Sequence, residues 1–453
     1  MPPLLRDLAT RVALVVAVVI VYHNALWASF FDDDYQWLVG SWSFHPAALV
    51  AFSTMTHFYR PVIDVYFAVM TPLLRGSPIL FHEASIVVHM VNVLVIFAIA
   101  RRIGGTDVFA FAAALFFAVQ PSDIDAIAWV GALAEAVGAL FGCLSLLWFL
   151  RWREERRLSL RRLSLTAYAL ALLTHESSVM FLPVLFLADR LIWRVPKEPP
   201  NGVEDQIATS GAELLGPPKP RSGEGGSLPR TFGPYVALTV VYLAIDVWIN
   251  SRNYVVSHGY YTVGFHIVTN ALNYIEALYV GRRDWLNYAA IASGIVILLV
   301  RGNSRVRFAT CWMLLALAPF LSFNWGNTSR YLYQPAIGFS LLLAEVVATF
   351  DRVLAHRLTA PRRALAVGLL VAVIAVRFAV FAAGNVRDFT ERSQVYSDYL
   401  GRFRALHGTV PSNTTVVADP PTTLPHRFIN AAVQWDYRDP TIRIVPYASD
   451  DVQ

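Results

Sequence analysis

The sequence predicts an all-α, polytopic membrane protein with about eleven transmembrane helices, an outer-face loop after the first helix and a small extramembrane C-terminal tail. Three observations predict this class. Hydrophobic residues make up 56% of the 453 residues, charged residues make up only 15%, and the mean hydropathy is +0.48. Apolar windows long enough to cross a bilayer recur along residues 1–384. Residues 385–453 lack such windows.

A helix needs roughly 17 to 25 mostly apolar residues to cross a bilayer. We predict such helices at 12–31, 79–100, 106–121, 127–150, 163–174 with 177–193, 232–250, 287–301, 307–323, 330–349 and 364–383. The segment 163–174 with 177–193 is predicted as two short or broken helices. The segment 264–283 is apolar but interrupted by polar residues, and we predict an outer-face or re-entrant helix there.

Arginine clusters predict the orientation, because short cytoplasmic loops are enriched in Arg and Lys. The densest cluster lies within 151–162 and places the N terminus in the cytoplasm and the C terminus outside. The first domain is then 1–384, in which 195–230 is rich in Pro, Gly, Ser and charge and is predicted as a disordered cytoplasmic linker. Residues 385–453 are predicted as a small exterior tail domain that contains β-type stretches.

Composition also excludes several functions. The net charge of +5 and the pI near 9.2 arise largely from basic residues in loops, where they set topology, so nucleic-acid binding is disfavoured. The two cysteines, Cys143 and Cys311, lie in apolar runs and do not predict a disulfide framework. No phosphate-binding loop, serine-hydrolase elbow or HExxH motif is present.

Four polar segments fall on the exterior side in this topology: 32–34, 120–125, 174–177 and 324–330. The topology was set from arginines in other loops, so this coincidence is independent evidence for a site. Polar and ionisable residues at membrane depth are costly and are usually retained for function. We therefore predict an active site at the outer face.

The acidic triplet Asp32, Asp33 and Asp34 is the predicted catalytic group. Asp can remove a proton from an acceptor hydroxyl, and it can also hold a divalent cation through its hard oxygen atoms. An optional Mg²⁺ or Mn²⁺ site at Asp33 and Asp34 is therefore predicted, although the cofactor is otherwise unknown. The alternative for these residues is solvated loop charge or helix capping.

Two arginines are predicted to bind a phosphate group. Arg330 begins an apolar span, where a guanidinium matches phosphate at the level of lipid headgroups, and Arg60 in the sequence Tyr-Arg-Pro is a second candidate. Tyr331 and Tyr333 follow Arg330 and are predicted to contact substrate. The alternative is that the arginine reaches the interface and that the tyrosines belong to an aromatic belt.

Further substrate contacts are predicted on two segments. Asp123 and Asp125 either bind sugar or cap the following helix. His175 and Glu176 break an apolar stretch, as polar residues that line a cavity do. Glu135 lies in a span, where a lone carboxylate needs a partner.

His82 and His89 share one face of a predicted helix. His82 is predicted to bind substrate. For His89 and Asn92 on the same helix, hydrogen bonds between helices are the better interpretation.

The order of these motifs resembles the transmembrane half of TMTC-type O-mannosyltransferases and their bacterial relatives, which belong to the GT-C glycosyltransferase superfamily. The resemblance covers about residues 10–350 and rests on the acidic cluster 32–34, the motifs at 58–62, 81–93, 120–135 and 174–176, and Arg-Tyr-Leu-Tyr-Gln-Pro at 330–335. It implies a polyprenyl-phosphate-linked sugar donor, an acceptor glycan, lipid or protein, and a bacterial inner-membrane enzyme with its site facing the periplasm. The TMTC repeat array is absent, which puts a protein acceptor in doubt.

The resemblance implies mannosyl or other hexosyl transfer with inversion at the anomeric carbon and optional metal use. It assigns Asp33 or Asp34 as the base and Arg330 as the phosphate ligand. A secondary transporter or lipid-carrier flippase is the main alternative, because such proteins also have broken helices and intramembrane charge. A non-catalytic membrane scaffold is a third.

Overall fold

The structure is a computed structural model, and it describes residues 2–50, 58–193, 228–250, 259–324, 329–418 and 424–445. Most of the predicted linker at 195–230 lies outside the described residues. Its last three residues, 228–230, begin a helix.

Within the described residues the chain is almost entirely helical. The helices are α1 (Pro3–Tyr22), α2 (Asp34–Ser41), α3 (Ala47–Val50), α4 (Pro61–Leu73), α5 (Pro78–Gly104), α6 (Asp107–Ala118), α7 (Ile124–Ala128), α8 (Leu133–Glu155), α9 (Leu158–Leu172), α10 (Phe181–Leu187), α11 (Leu228–Asn250), α12 (His266–Tyr279), α13 (Trp285–Arg301), α14 (Ser304–Leu317), α15 (Tyr333–Ala355), α16 (Ala360–His407) and α17 (His426–Tyr437). The strands are β1 (Thr415–Val417) and β2 (Arg443–Val445), which pair in parallel. Short 3-10 turns cover His23–Trp27, Pro121–Asp123, Val130–Ala132, Glu176–Met180, Ala318–Phe320 and Ser329–Leu332.

Helices occupy the predicted apolar windows, but fewer of them meet the length and hydropathy of a membrane span. In the described residues, the four helices that are long and apolar enough to cross a membrane are α5, Val130–Glu155, Leu228–Ile249 and α16. A fifth is possible if α6 and Pro121–Ala128, which meet at a bend of 44°, form one span. The prediction of eleven crossings is therefore not confirmed.

Three local predictions can be compared with the helix bounds. The broken helix is confirmed, since α9 ends at Leu172 and the chain resumes with a 3-10 turn before α10. The window 12–31 is only partly α-helical, because α1 ends at Tyr22 and an irregular segment precedes the acidic triplet. The segment 264–283 contains the 14-residue helix α12, which is shorter than a bilayer span.

The centre of the bundle is formed by α5, α6, α8, α9, α14 and α15, which pack against one another in neighbouring pairs. The contact between α14 and α15 requires glycine at position 338, because a Cβ there would lie 2.6 Å from the backbone nitrogen of Met313. The helix α5 spans the whole bundle, about 40 Å at 1.5 Å per residue. Phe81 near its start packs beside the acidic triplet, and Arg102 near its end pairs with Glu154.

We name the end of the bundle that carries residues 32–34 the acidic end. A second hydrophobic cluster lies there and joins residues of α2 and α4 to residues of the C-terminal tail. The helix α17 packs on α2, and β1 and β2 form at the predicted β-type stretches, which confirms them. The predicted domain boundary at 384/385 lies inside α16, which continues from the bundle into the tail.

The helix α16 also contacts the loop that carries the acidic triplet. The Ser393 hydroxyl accepts the backbone N–H of Ser29 at 2.9 Å, and the Tyr396 hydroxyl donates to Asp32. The side-chain amide of Gln394 donates to the carbonyl oxygen of Trp27 at 3.0 Å. These contacts join residues more than 360 positions apart, so the tail helps to hold the acidic loop.

We expect that the tail contributes directly to stability. Replacing fully buried Ile429 in α17 by Ala should cost about 2–5 kcal/mol, because it removes packed methyl groups and leaves a cavity. Thermal unfolding of the detergent-solubilised protein measures this change. The control Leu406→Ala, at a side chain that is 81% exposed, should change the stability by less than about 0.5 kcal/mol. Equal melting temperatures for the two variants would contradict the role given to the tail.

Candidate functional site

A cavity of about 670 Å³ opens at the acidic end. Its lining residues come from α2, from the loops and turns between helices, from the first turn of α8 and from α17 in the tail. They are Asp32, Asp33, Gln36, Trp37, Phe58, Arg60, Trp129, Gly131, Ala132, Ala134, Glu135, His175, Glu176, Tyr261, Phe320, Phe323, Arg330, Tyr331, Arg427 and Phe428. The structure therefore brings residues of the predicted segments 32–34, 174–177 and 324–330 to one cavity. The fourth segment, 120–125, lies beside the 329–332 turn but lines a separate, smaller cavity.

The three aspartates have different surroundings. Asp32 adopts a left-handed backbone conformation, with φ of +46°, and accepts a hydrogen bond from Tyr396. Asp33 is partly buried and lines the cavity. Asp34 is fully buried, and its two carboxylate oxygens accept the backbone N–H groups of Phe31 and Gly131. Asp34 therefore holds the loop together and does not line the cavity.

Burial raises the pKa of both Asp33 and Asp34. For Asp33 this increase is opposed by the positive charge of Arg330, and the net direction remains upward. For Asp34 the negative charge of Asp33 adds to the effect of burial, so the pKa lies well above its ordinary value. Asp33 therefore combines access to the cavity with a raised proton affinity.

The turn before α8 needs glycine at position 131. A Cβ on Gly131 would lie 2.5 Å from Asp33 Oδ1 and 3.1 Å from Asp34 Oδ1. Both distances are shorter than ordinary van der Waals contact. Because the side chain is only a hydrogen atom, the backbone N–H of Gly131 can approach and hold Asp34.

Arg330 lies between aromatic rings at the cavity wall. Its guanidinium carbon is 4.7 Å from the Trp129 ring centroid and 5.1 Å from the Tyr331 ring centroid. Its Nη2 donates a hydrogen bond to the Tyr331 hydroxyl at 3.2 Å. Tyr331 in turn stacks on Phe320 with centroids 4.2 Å apart. In the part of the chain that the structure describes, no carboxylate lies within 4.0 Å of this guanidinium.

Arg60 differs from Arg330 because its guanidinium forms an ion pair with a carboxylate. Its Nε and Nη2 donate to Glu176 Oε2 at 3.0 Å and Oε1 at 2.7 Å, which is a bidentate pair. Burial opposes ionisation of Glu176, but the adjacent Arg60 lowers the pKa of this carboxyl to about 2. The pair is therefore ionised across the physiological pH range.

A third polar group on the cavity wall surrounds Glu135, which is 2% exposed. His175 Nε2 lies 3.3 Å from Glu135 Oε1, and the Ser177 hydroxyl lies 3.2 Å from Oε2. Gln334 donates to that hydroxyl at 2.8 Å. Glu135 thus has the partner that a carboxylate in a span requires.

Other predicted contacts are not brought to the cavity. Tyr333 is fully buried, and its hydroxyl lies 2.8 Å from His89 Nδ1 and accepts from Asn92 at 3.0 Å, which confirms the interhelical interpretation of those two residues. His82 is fully buried in α5 and is absent from the lining.

The two aspartates of the 120–125 segment are likewise outside the lining. Asp123 is fully buried, and the Ser122 hydroxyl donates to it at 3.5 Å. Asp125 lies partly buried in α7. None of the residues Tyr333, His82, Asp123, Asp125 and Asp34 lines the cavity. The substrate contacts predicted for the first four and the catalytic role predicted for Asp34 stay predictions.

Several lining residues were not predicted from the sequence. Trp129 and Gly131 lie in a motif that was recognised, but their contacts with Arg330 and with the aspartates depend on the fold. Arg427 and Phe428 come from α17. Their sequence carries no motif, and hydropathy predicts only an extramembrane tail.

The optional metal site at Asp33 and Asp34 stays a prediction. Asp34 is absent from the cavity lining and accepts two backbone N–H groups. Among the residues with described positions, no group of three or more His, Cys, Asp or Glu side chains is placed to hold a metal ion.

Comparison with protein-family models and with curated protein sequences finds no match for this chain. Comparison with solved structures does. ArnT from Cupriavidus metallidurans bound to undecaprenyl phosphate aligns with a TM-score of 0.54 over 98% of this chain and 86% of ArnT, at 13% identity. The chain has the GT-C fold.

Other GT-C structures also match. The Archaeoglobus fulgidus oligosaccharyltransferase in its apo form aligns with a TM-score of 0.53 at 12% identity, covering 98% of this chain and 64% of that protein. The archaeal oligosaccharyltransferase AglB with an inhibitory peptide and a dolichol-phosphate aligns with a TM-score of 0.51 at 13% identity, with the same coverage. The chain therefore spans slightly less than two thirds of the oligosaccharyltransferases. The finer resemblance to TMTC-type enzymes stays a prediction.

We expect the Arg60–Glu176 pair to stabilise this GT-C fold at its acidic end. Arg60→Met should destabilise the protein by about 1–2 kcal/mol, because the partly buried Glu176, whose side chain is 29% exposed, is left without its counter-charge. The double variant Arg60→Met/Glu176→Gln should recover part of the loss. Because the pKa of Glu176 is depressed to about 2, the stabilisation is present above about pH 4.5 and is lost as the pH falls towards 2.

Thermal unfolding across this pH range measures the effect. The matched control is Arg6→Met, which breaks an exposed pair with Asp107 whose side chains are 67% and 53% accessible. That change should cost less than about 1 kcal/mol. An Arg60→Met variant as stable as the control would show that the pair is not a structural element.

Proposed function

We propose that this protein is a glycosyltransferase that moves a sugar from a polyprenyl-phosphate-linked donor to an acceptor hydroxyl at the exterior membrane face. The observation that supports it most is the pairing of two groups in one cavity. Asp33 presents a carboxylate, and Arg330 presents a guanidinium with no carboxylate among the described residues within 4.0 Å. A base and an anion-binding cation on the same cavity are what transfer from a lipid phosphate requires.

Arg330 is proposed to bind the donor phosphate. A guanidinium can donate two parallel hydrogen bonds to phosphate oxygens, and burial beside Trp129 and Tyr331 strengthens that attraction. Arg60 is a weaker candidate, since its bidentate contact with Glu176 already satisfies it. Arg60 instead contributes positive potential to the same cavity.

Asp33 is proposed as the base that receives the acceptor proton. Both carboxylate oxygens of Asp34 accept backbone N–H groups and Asp34 does not line the cavity, and Asp32 accepts a hydrogen bond from Tyr396. Asp33 lines the cavity, and its pKa is raised by burial, which makes it a better proton acceptor than a solvated aspartate.

The proposed reaction is a single displacement. The acceptor oxygen forms a bond to the anomeric carbon as the bond from that carbon to the phosphate oxygen breaks, and the electron pair leaves with the lipid phosphate. The acceptor proton moves to Asp33, and the charge on the departing phosphate is stabilised by Arg330. Attack opposite to the leaving group inverts the anomeric configuration, and no step is assigned to a metal.

The similar structures support a lipid carrier. ArnT is bound to undecaprenyl phosphate, and AglB is in complex with a dolichol-phosphate and an inhibitory peptide. We propose that the donor carries a hexose such as mannose and that the acceptor is a glycan, lipid or protein. We also propose that the protein lies in a bacterial inner membrane with its site facing the periplasm. The bilayer itself is the other partner, through the apolar helices.

The proposal is tested with membranes that contain the protein and with polyprenyl phosphates carrying radiolabelled hexoses. Asp33→Asn should reduce transfer to membrane acceptors by at least about 100-fold, because the base is lost while the side-chain shape is kept. Asp398→Asn, at an exposed aspartate on α16, is the matched control and should keep full activity. Transport of the labelled lipid or a solute in proteoliposomes, without transfer in either protein, would support a transporter instead.

The pH dependence of transfer gives a second prediction. Transfer requires ionised Asp33, so the rate should fall as the pH is lowered, with a midpoint above about pH 4 because burial raises the pKa of this group. Initial rates at saturating donor between pH 4 and 8 measure the midpoint. A rate that is constant down to pH 4 would rule out Asp33 as the base.

Arg330 gives a third prediction. Arg330→Gln should weaken donor binding and slow transfer, and Arg330→Lys should restore only part of the loss because an ammonium cannot form the bidentate contact. Donor titrations of the initial rate separate the two effects. If both variants transfer at the wild-type rate, another group binds the phosphate.

A further inference from the structure

The cavity contains a polar group to which the proposed displacement assigns no role. Glu135 at the start of α8, together with His175 and Ser177, lines or underlies the wall. This group is separate from the base and from the arginine that is proposed to bind phosphate. Its hydrogen-bond pattern shows what it can bind.

The position of the proton on His175 follows from its neighbours. Its Nδ1 accepts the backbone N–H of Ser177 at 3.3 Å and lies 2.8 Å from the Ser177 hydroxyl. A nitrogen that accepts a backbone N–H carries no hydrogen of its own. The ring proton therefore resides on Nε2, which is 3.3 Å from Glu135 Oε1.

Glu135 has fewer donors than an ionised carboxylate accepts, which is about four. Its Oε1 accepts no well-aligned hydrogen bond from the described residues. Its Oε2 competes with His175 Nδ1 for the single hydroxyl hydrogen of Ser177, and Gln334 Nε2 lies 3.5 Å away. Glu135 is 2% exposed, and its Oε1 can accept further hydrogen bonds from a ligand in the cavity.

The charges around Glu135 place it beside the proposed phosphate site. Arg60 and Arg330 lie within electrostatic range of its carboxylate, but neither forms an ion pair with it. Arg330 and Glu135 line the same cavity, so a ligand whose phosphate is held by Arg330 has its neighbouring chemical group within the cavity that Glu135 also lines. In a polyprenyl-phosphate-linked donor, that group is the sugar.

We propose that Glu135, oriented by His175, Ser177 and Gln334, binds hydroxyl groups of the donor's sugar. This inference rests on the proposed function and extends it to the sugar subsite. Sugar hydroxyls donate to the two carboxylate oxygens and supply the missing hydrogen bonds.

The test compares a bare lipid phosphate with the same lipid phosphate carrying a sugar. Full-length protein in nanodiscs is titrated with undecaprenyl phosphate and with undecaprenyl-phosphate mannose, glucose and galactose. Glu135→Gln should weaken binding of the preferred glycosylated lipid by about 10-fold to 100-fold, because hydrogen bonds to a charged acceptor are lost. Binding of undecaprenyl phosphate should change less than about two-fold.

The controls separate this subsite from the phosphate site and from misfolding. Arg330→Gln should weaken binding of both lipids, and Glu83→Gln, at an exposed glutamate on α5, should affect neither. Ser177→Ala should reproduce a smaller part of the Glu135→Gln loss. Size-exclusion profiles and melting temperatures confirm that each variant is folded.

Two outcomes would overturn the inference. Equal weakening of the bare and glycosylated lipids in folded Glu135→Gln, or no weakening of either, would show that Glu135 does not contact the sugar, and the proposed function would stand. Failure of the wild-type protein to bind any of these lipids would overturn the proposed function together with the subsite.

Discussion

The acidic end of this protein must keep several ionised groups partly or wholly out of water, and each such group needs a partner. Arg60 is paired with Glu176, and Asp34 accepts two backbone N–H groups. After these groups are satisfied, Arg330 and Asp33 still line the cavity, and Arg330 has no carboxylate in contact among the described residues. A buried charge without a fixed counter-charge is costly. In the proposed function, the anionic phosphate of the donor offsets that cost.

The residues that follow the bundle also help to hold the charged groups of the acidic end. The helix α16 extends past the bundle, holds the acidic loop through Tyr396 and carries the chain to α17. From there Arg427 and Phe428 reach the cavity wall. The tail therefore forms part of the cavity wall, and Arg427 places an additional positive charge within electrostatic range of Asp32.

Hydropathy and motif order were sufficient to predict the helical class, the broken helix and the cavity positions of Asp33, Arg330, His175 and Glu176. They could not predict contacts that depend on residues far apart in sequence. Nothing local shows that Gly131 provides a backbone N–H to Asp34, which removes Asp34 from the cavity. The eleven crossings predicted from apolar length stay unconfirmed, because only four helices of the described residues, or five with the bent pair, are long and apolar enough to qualify as spans on their own.

The central claim is that the cavity between Asp33 and Arg330 receives the phosphate of a lipid carrier. An experimental structure of the protein in nanodiscs with undecaprenyl phosphate tests it most directly. The account predicts phosphate oxygens within about 3.2 Å of the Arg330 guanidinium, on the cavity side that faces Asp33. A phosphate bound elsewhere, with Arg330 and Asp33 separated by packed side chains, would contradict it.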